Sequence, residues 1–144
     1  MITKAVVMSE PGCLSIQPVN LKSPSKEDVV IEINYSGIST GTEKLFYNGK
    51  MPQFPGMGYP LVPGYESTGE VVQAPKDSNL KIGDIVFVPG ADCYSGSVKS
   101  LFGGSARMII SNPNRLIKID STMGCNGALF ALAATARHAI AGFG

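Results

Sequence analysis

Between Gly49 and Gly64 the sequence interleaves Met51, Phe54, Met57, Tyr59 and Leu61 with Pro52, Pro55, Pro60 and Pro63. Four prolines fix φ and remove backbone donors, so the stretch is neither helix nor internal strand. Loops of this length in compact domains tend to carry function. Met and aromatic side chains on a stiffened loop suit one face of a flat apolar ligand; the other reading of the same residues is a cap over the open end of a β structure. Metal chemistry would have to draw on Cys13, Cys93, Cys125 and the single histidine, His138. Their scattered spacing matches neither a zinc ribbon nor a disulfide framework, so the three cysteines read as buried or incidental thiols. Dinucleotide chemistry would need a Gly-x-Gly-x-x-Gly turn between a strand and a helix. None occurs, and Gly142-Phe143-Gly144 is too short to count.

The elements that must carry these residues read as mainly β. Val29–Tyr35 alternates around Ile31, Ile33 and Tyr35, the period-2 pattern of a half-buried strand. Similar strands are read at Ala5–Met8, Leu14–Pro18, Gly69–Gln73, Ile85–Val88, Ala106–Ile110 and Arg115–Ile119. Seven short strands punctuated by 17 glycines and 10 prolines suggest a barrel or sandwich. A short helix is read near Thr42–Tyr47. A longer one is read near Asn126–Ala141, with Leu129, Leu132, Ala133, Ala136 and Ile140 on one side and Gly142 as its C-cap. Ala on its other side permits close approach, so this helix is expected to pack between the β structure and a further layer.

The 144 residues suffice for one cored domain, and 44% hydrophobic against 16% charged residues excludes disorder. A formal net charge of +1 with no basic cluster gives no footprint for nucleic acid. The start lacks a signal-peptide pattern and no apolar run is long enough to span a bilayer, so a cytoplasmic protein is expected.

The run Gly64-Tyr65-Glu66-Ser67-Thr68-Gly69-Glu70-Val71-Val72, followed by Lys81-Ile82-Gly83-Asp84-Ile85-Val86-Phe87-Val88-Pro89, resembles the catalytic domain of medium-chain alcohol dehydrogenases. The resemblance implies a GroES-like, partly open β-barrel with short helices. Ser36-Gly37-Ile38-Ser39-Thr40-Gly41-Thr42-Glu43 sits where that family carries its first zinc-ligand loop, and Gly103-Gly104-Ser105-Ala106 resembles its later Gly-Gly turn. The longer run through Phe54-Pro55-Gly56-Met57-Gly58-Tyr59-Pro60-Leu61-Val62-Pro63-Gly64-Tyr65-Glu66 is similar to one branch, the 3-hydroxyethyl bacteriochlorophyllide a dehydrogenases. Leu101-Phe102-Gly103-Gly104 and Ala131-Leu132-Ala133-Ala134-Thr135-Ala136 point to the same branch. The implied activity is NAD-dependent oxidation of a 3-(1-hydroxyethyl) side chain to 3-acetyl on a chlorin or bacteriochlorin ring. Met51, Phe54, Met57, Tyr59 and Phe102 are then the expected substrate-binding residues.

The resemblance also shows where the chain departs from zinc-dependent relatives. Ser39, Tyr65-Glu66 and Ala131 stand where those enzymes place their catalytic ligands, and of these only Glu66 is a customary zinc ligand. Cys93 alone occupies the lobe of the structural zinc, so neither metal is expected. Hydroxyl donors and a proton acceptor must then do the work of the metal. The resemblance gathers Ser39, Thr40, Thr42, Tyr65 and Glu66 around that position. Tyr65 is a candidate to bond the substrate oxygen, and a desolvated Glu66 to act as base. The competing reading gives them structural jobs: Glu66 holding the Gly41-Thr42 loop, Tyr65 filling the space of the metal. Glu43 is a further candidate, set against an ordinary place on the solvated face of the short helix. His138 either reaches the cofactor side of a cleft or packs near the barrel.

Residues 1–144 are expected to form the GroES-like catalytic domain alone, truncated before a dinucleotide-binding domain, with NAD bound mainly by that missing domain. Turnover by this piece by itself is not expected. The partner is a bacteriochlorophyllide or chlorophyllide substrate, with neither nucleic acid nor a transmembrane segment involved, and homo-oligomerisation is open for a full-length protein. Two other readings stand beside this one: a zinc-free quinone or enone reductase, and a non-enzymatic GroES-like binding module.

Overall fold

In the computed structural model, residues 1–100 and 102–142 are described. Leu101, Phe143 and Gly144, which entered the reading above, lie outside the described residues. Strands β1 (Ile2–Glu10) and β2 (Cys13–Asn20) form an antiparallel hairpin. Its turn carries Gly12 at φ +81°, the left-handed backbone that glycine adopts without a Cβ penalty. Five further strands, β3 (Val29–Ser36), β4 (Ser67–Gln73), β5 (Ile85–Val88), β6 (Met108–Ser111) and β7 (Ile117–Lys118), make an antiparallel sheet in the order β6-β3-β4-β5-β7. The hairpin closes against this sheet through backbone bonds outside the regular strands. The Val6 N–H donates to Ser105 O at 2.9 Å, the Arg107 N–H to Lys4 O at 2.8 Å, and Met8 exchanges bonds with Leu61. The enclosed core is rich in β-branched residues, among them Val7, Val29, Ile31, Val62, Val71, Val86, Val88 and Ile109. Such side chains suit a pleated, half-buried surface. Seven strands among the described residues and a mainly β architecture agree with the sequence reading.

Several local expectations are corrected. In β3 the burial does not alternate: Val29, Val30 and Ile31 are all buried while Tyr35 is exposed. Register shifts between Val30 and Ile31 and again between Ile33 and Tyr35 on the β4 side break the period. In β2 only Val19 is buried, so Leu14 and Ile16 face outward; a strand paired to β1 alone has no second layer over its outer face. The segment expected at Arg115–Ile119 is strand only at Ile117–Lys118. Asn112 Oδ1 caps a 3₁₀ turn, Pro113–Arg115, by accepting from the Asn114 N–H at 2.9 Å.

The short helix α1 spans Thr42–Tyr47 as expected. The longer helix does not begin at Asn126: a 3₁₀ segment, Ser121–Leu129, kinked at Gly124, precedes α2 (Phe130–Gly142). The 3₁₀ segment lies against β3, β4 and β5 and buries Gly127 and Ala128. Gly127 is tight there, since a Cβ would come within 2.5 Å of Ile119 Cδ1 and 3.3 Å of Thr68 Oγ1. Helix α2 itself has no buried residue, so the side bearing Leu129, Leu132 and Ile140 is exposed and does not pack on the barrel. Among the described residues no helix is long and apolar enough to cross a membrane.

Candidate active site

Strands β3 and β4 are neighbours in register Ser36↔Ser67, so the chain leaving β3 and the chain entering β4 meet at one end of the sheet. Residues 37–43 and 64–66 are therefore brought together by the strand pairing. The Gly37 N–H donates to Glu66 O at 2.8 Å and extends the ladder beyond the last pair. Gly64 is held at φ +95°, and a Cβ there would fall 2.5 Å from Ser105 Oγ and 2.8 Å from Ser105 N. That turn admits only glycine without rearrangement.

Glu43 is buried, which corrects the expectation of a solvated helix face. Its Oε2 accepts from the Ser39 N–H at 2.9 Å and its Oε1 from the Gly64 N–H at 3.2 Å. The carboxylate therefore ties the two loops together by supplying acceptors for one buried and one half-buried backbone donor. Ser39 Oγ accepts from the Gly41 and Thr42 N–H groups at 3.3 and 3.1 Å, serving the start of α1 where Gly41 has no side chain to do so. Thr42 is half-buried on α1, and Thr40 is exposed beside it.

Tyr65 meets the edge of Phe102 in a T-shaped contact with ring centroids 5.8 Å apart. Its hydroxyl makes no hydrogen bond among the described residues and can donate to a ligand. Glu66 is buried with its side chain against Gly37; a Cβ on that glycine would stand 2.7 Å from Glu66 Cγ and 2.8 Å from Oε1. Its Oε2 is buried without a hydrogen-bond partner, as is Thr68 Oγ1 two residues along the chain. Burial pushes the Glu66 carboxyl up; the Leu132 backbone N–H in the first turn of α2 opposes that rise, and the Glu43 charge adds to it. A buried carboxyl raised above its usual range, with its Oε2 unpartnered, can hold or accept a proton.

The structure thus joins Ser39, Thr42 and Glu43 to Gly64 and sets Glu66 near Glu43, while Tyr65 contacts Phe102 and Thr40 is exposed. It does not bring His138 to them. His138 is exposed on α2, neither packed near the barrel nor bonded to the carboxylates, and lines an open groove of about 530 Å³ with Phe130 and Arg137. The Pro-rich loop is divided. Met51, Met57, Tyr59 and Phe102 pack on a second small core of Met8, Phe46 and Leu61, and the Tyr59 hydroxyl donates to Phe46 O. Phe54 faces outward with 37% exposure. Two contributors escaped the sequence reading. Thr68 was findable, because a period-2 strand sets residues 66 and 68 on one face. The Leu132 amide was not, since it depends on where α2 crosses the sheet.

Cys13 and Cys125 are exposed and Cys93 is buried, all as free thiols. Among the described residues no three His, Cys, Asp or Glu side chains converge as a metal site. Ser39, Tyr65 and Ala131 add no customary zinc donor to Glu66, so this set does not fit a catalytic zinc.

Residues 25–139 match the alcohol dehydrogenase GroES-like domain, which covers the sheet, α1 and both loops of the site. The chain belongs to that family. This GroES-like chain is 55% identical over 143 residues to the 2-desacetyl-2-hydroxyethyl bacteriochlorophyllide A dehydrogenase of Rhodobacter capsulatus, covering 99% of the chain and 46% of that protein. It is 53% identical over 146 residues to the protein of the same name from Cereibacter sphaeroides, again with 99% and 46% coverage. The chain therefore spans about half the length of these relatives. Among solved structures, the 2R,3R-butanediol dehydrogenase of Bacillus subtilis superposes with a TM-score of 0.68 at 24% identity, over 88% of this chain and 43% of that one. The short chain alcohol dehydrogenase of Escherichia coli CFT073 also gives 0.68, at 18% identity over 89% and 42%. These two establish the shared fold.

Proposed function

We propose that this domain is the substrate half of an NAD-dependent dehydrogenase that oxidises the 3-(1-hydroxyethyl) group of bacteriochlorophyllide a to 3-acetyl, without a catalytic zinc. The observation that carries the chemistry is the buried Oε2 of Glu66, which has no hydrogen-bond partner among the described residues. The observation that carries the substrate is the 55% identity to the Rhodobacter capsulatus enzyme along nearly the whole chain. In this reading the Tyr65 phenol donates a hydrogen bond to the substrate oxygen and fixes the alcohol carbon. The hydroxyl proton passes to Glu66, whose burial gives it a proton affinity suited to the transfer. Glu43 keeps both loops in register while this happens, and Ser39 holds the start of α1. NAD is assigned as the hydride acceptor, held mainly outside this chain, whose own residues bind and deprotonate the alcohol.

The test is a chimera in which this chain replaces the matching part of the Rhodobacter capsulatus enzyme, assayed with 3-hydroxyethyl bacteriochlorophyllide a and NAD. Formation of the 3-acetyl pigment, lost in Glu66→Gln and reduced in Tyr65→Phe, is the expected result. A folded chimera that makes no acetyl product, or that only reduces quinones, would overturn the reading.

A further inference from the structure

Beside α1, and sharing Met8 with the second small core, lies an open groove of about 460 Å³, within the range of small-molecule sites. Its walls come from three places: Met8 and Leu14 from the hairpin, Ile38 and Ser39 from the loop after β3, Lys44 and Tyr47 from α1. The apolar part is not a folding core. Ile38 is 82% exposed, and Leu14 and Tyr47 are exposed as well, so large side chains gather at the surface with no protein covering them. One cation stands at its edge. The neighbouring acid, Glu43, is turned inward onto two backbone N–H groups, and Lys44 makes no salt bridge among the described residues. The groove also reaches Ser39 and Glu43, so a ligand lying in it meets the edge of the candidate active site.

We infer that this groove, and not the Pro-rich loop, receives one edge of the macrocycle, with Lys44 pairing to the ring's free propionate. The inference rests on the proposed function for the identity of the ring. A bacteriochlorophyllide joins a flat apolar body to an unesterified propionic side chain, which matches an uncovered apolar wall flanked by one unpaired ammonium. The wall supplies contact area, and Lys44 sets the orientation in which the ring enters.

Absorbance titrations of the chain with 3-hydroxyethyl bacteriochlorophyllide a, and with its propionate methyl ester, test this. The free acid is expected to bind about three- to fivefold more tightly than the ester, as suits one solvent-flanked ion pair. Lys44→Met brings the two probes to parity, Lys44→Arg keeps the preference, and Ile38→Ser weakens both probes alike by about fivefold or more. Lys44 and Ile38 are exposed, and circular dichroism verifies that the variants fold. Saturable binding by the wild type that neither Lys44→Met nor Ile38→Ser alters, or that Phe54→Ala alone weakens, overturns the groove and leaves the functional reading standing. Absence of saturable shifts with either probe on the wild type overturns the groove, and the functional reading falls only if the chimera also makes no acetyl product. Self-association abolished by Ile38→Ser with unchanged pigment binding would give the groove to a second copy of the chain and overturn the inference.

Discussion

Replacing Gly37 with alanine tests whether the Glu66 carboxylate is seated where the structure puts it. Gly37 has a φ outside the left-handed region, so its backbone accepts a side chain without strain. The three atoms nearest the added methyl all belong to Glu66, at 2.7 Å for Cγ, 2.8 Å for Oε1 and 3.1 Å for Cδ. Distances below 3 Å force displacement, and Cγ lies too near the backbone to swing away as a free tip would. Overpacking of this kind costs about 1–3 kcal/mol, against which the stiffer unfolded chain returns about 0.4–1 kcal/mol. The net loss expected for Gly37→Ala is about 1–2 kcal/mol, or roughly 3–8 °C in Tm for a chain of this size. Thermal melts of the wild type, Gly37→Ala, Glu66→Ala and the double variant isolate the contact. In the Glu66→Ala background the alanine should be neutral or slightly stabilising, giving a coupling of about 1–2 kcal/mol. An equal loss in both backgrounds would show that the methyl strikes something else and that Glu66 does not lie against Gly37.

Other expectations are more direct. Glu43→Ala leaves the Ser39 and Gly64 N–H groups without their acceptor and should destabilise the chain by about 2–4 kcal/mol in urea unfolding; a loss under about 0.5 kcal/mol would refute the tie between the loops. Because the Glu66 carboxyl is raised above its ordinary value of 4.5, the native state binds the proton more tightly than the unfolded chain. Stability should therefore fall as pH rises from that ordinary value through the folded one, and Glu66→Gln should remove this decline in melts recorded between pH 4 and 8. Asp84 behaves with the opposite sign. Lys118 at 2.7 Å and the Lys81 N–H at 2.9 Å hold it below its ordinary value, so its stabilisation is present above that value and is lost as pH falls through the folded one. Asp84→Asn should flatten the acid limb below pH 4, and an unchanged limb would refute the assignment.

What could be read from the sequence was what local chemistry decides. Strands at Val29–Ser36 and Ile85–Val88 announce themselves by β-branched residues between turn formers, and α1 is bounded by Gly41 and Gly49. The outward face of β2 was not legible, because alternation at Leu14 and Ile16 says which residues share a face and not whether anything covers it. Glu43 misled for a related reason. A charge on a short helix is normally solvated, and the donors that bury this one come from Ser39 and from Gly64, the latter 21 residues away. The Met and aromatic residues of the Pro-rich loop read equally as ligand wall or cap. Packing of Met51, Met57 and Tyr59 onto Phe46 and Leu61 gives those three a place in the cap, a distinction that composition does not contain.

The position of α2 has a consequence for Glu66. The amide that restrains the rise of its proton affinity belongs to a helix none of whose residues is buried, attached to the sheet through the 3₁₀ segment before it and the contact of Phe130 with Phe87. The surroundings of Glu66 thus include a surface helix that lies outside the two loops forming the site.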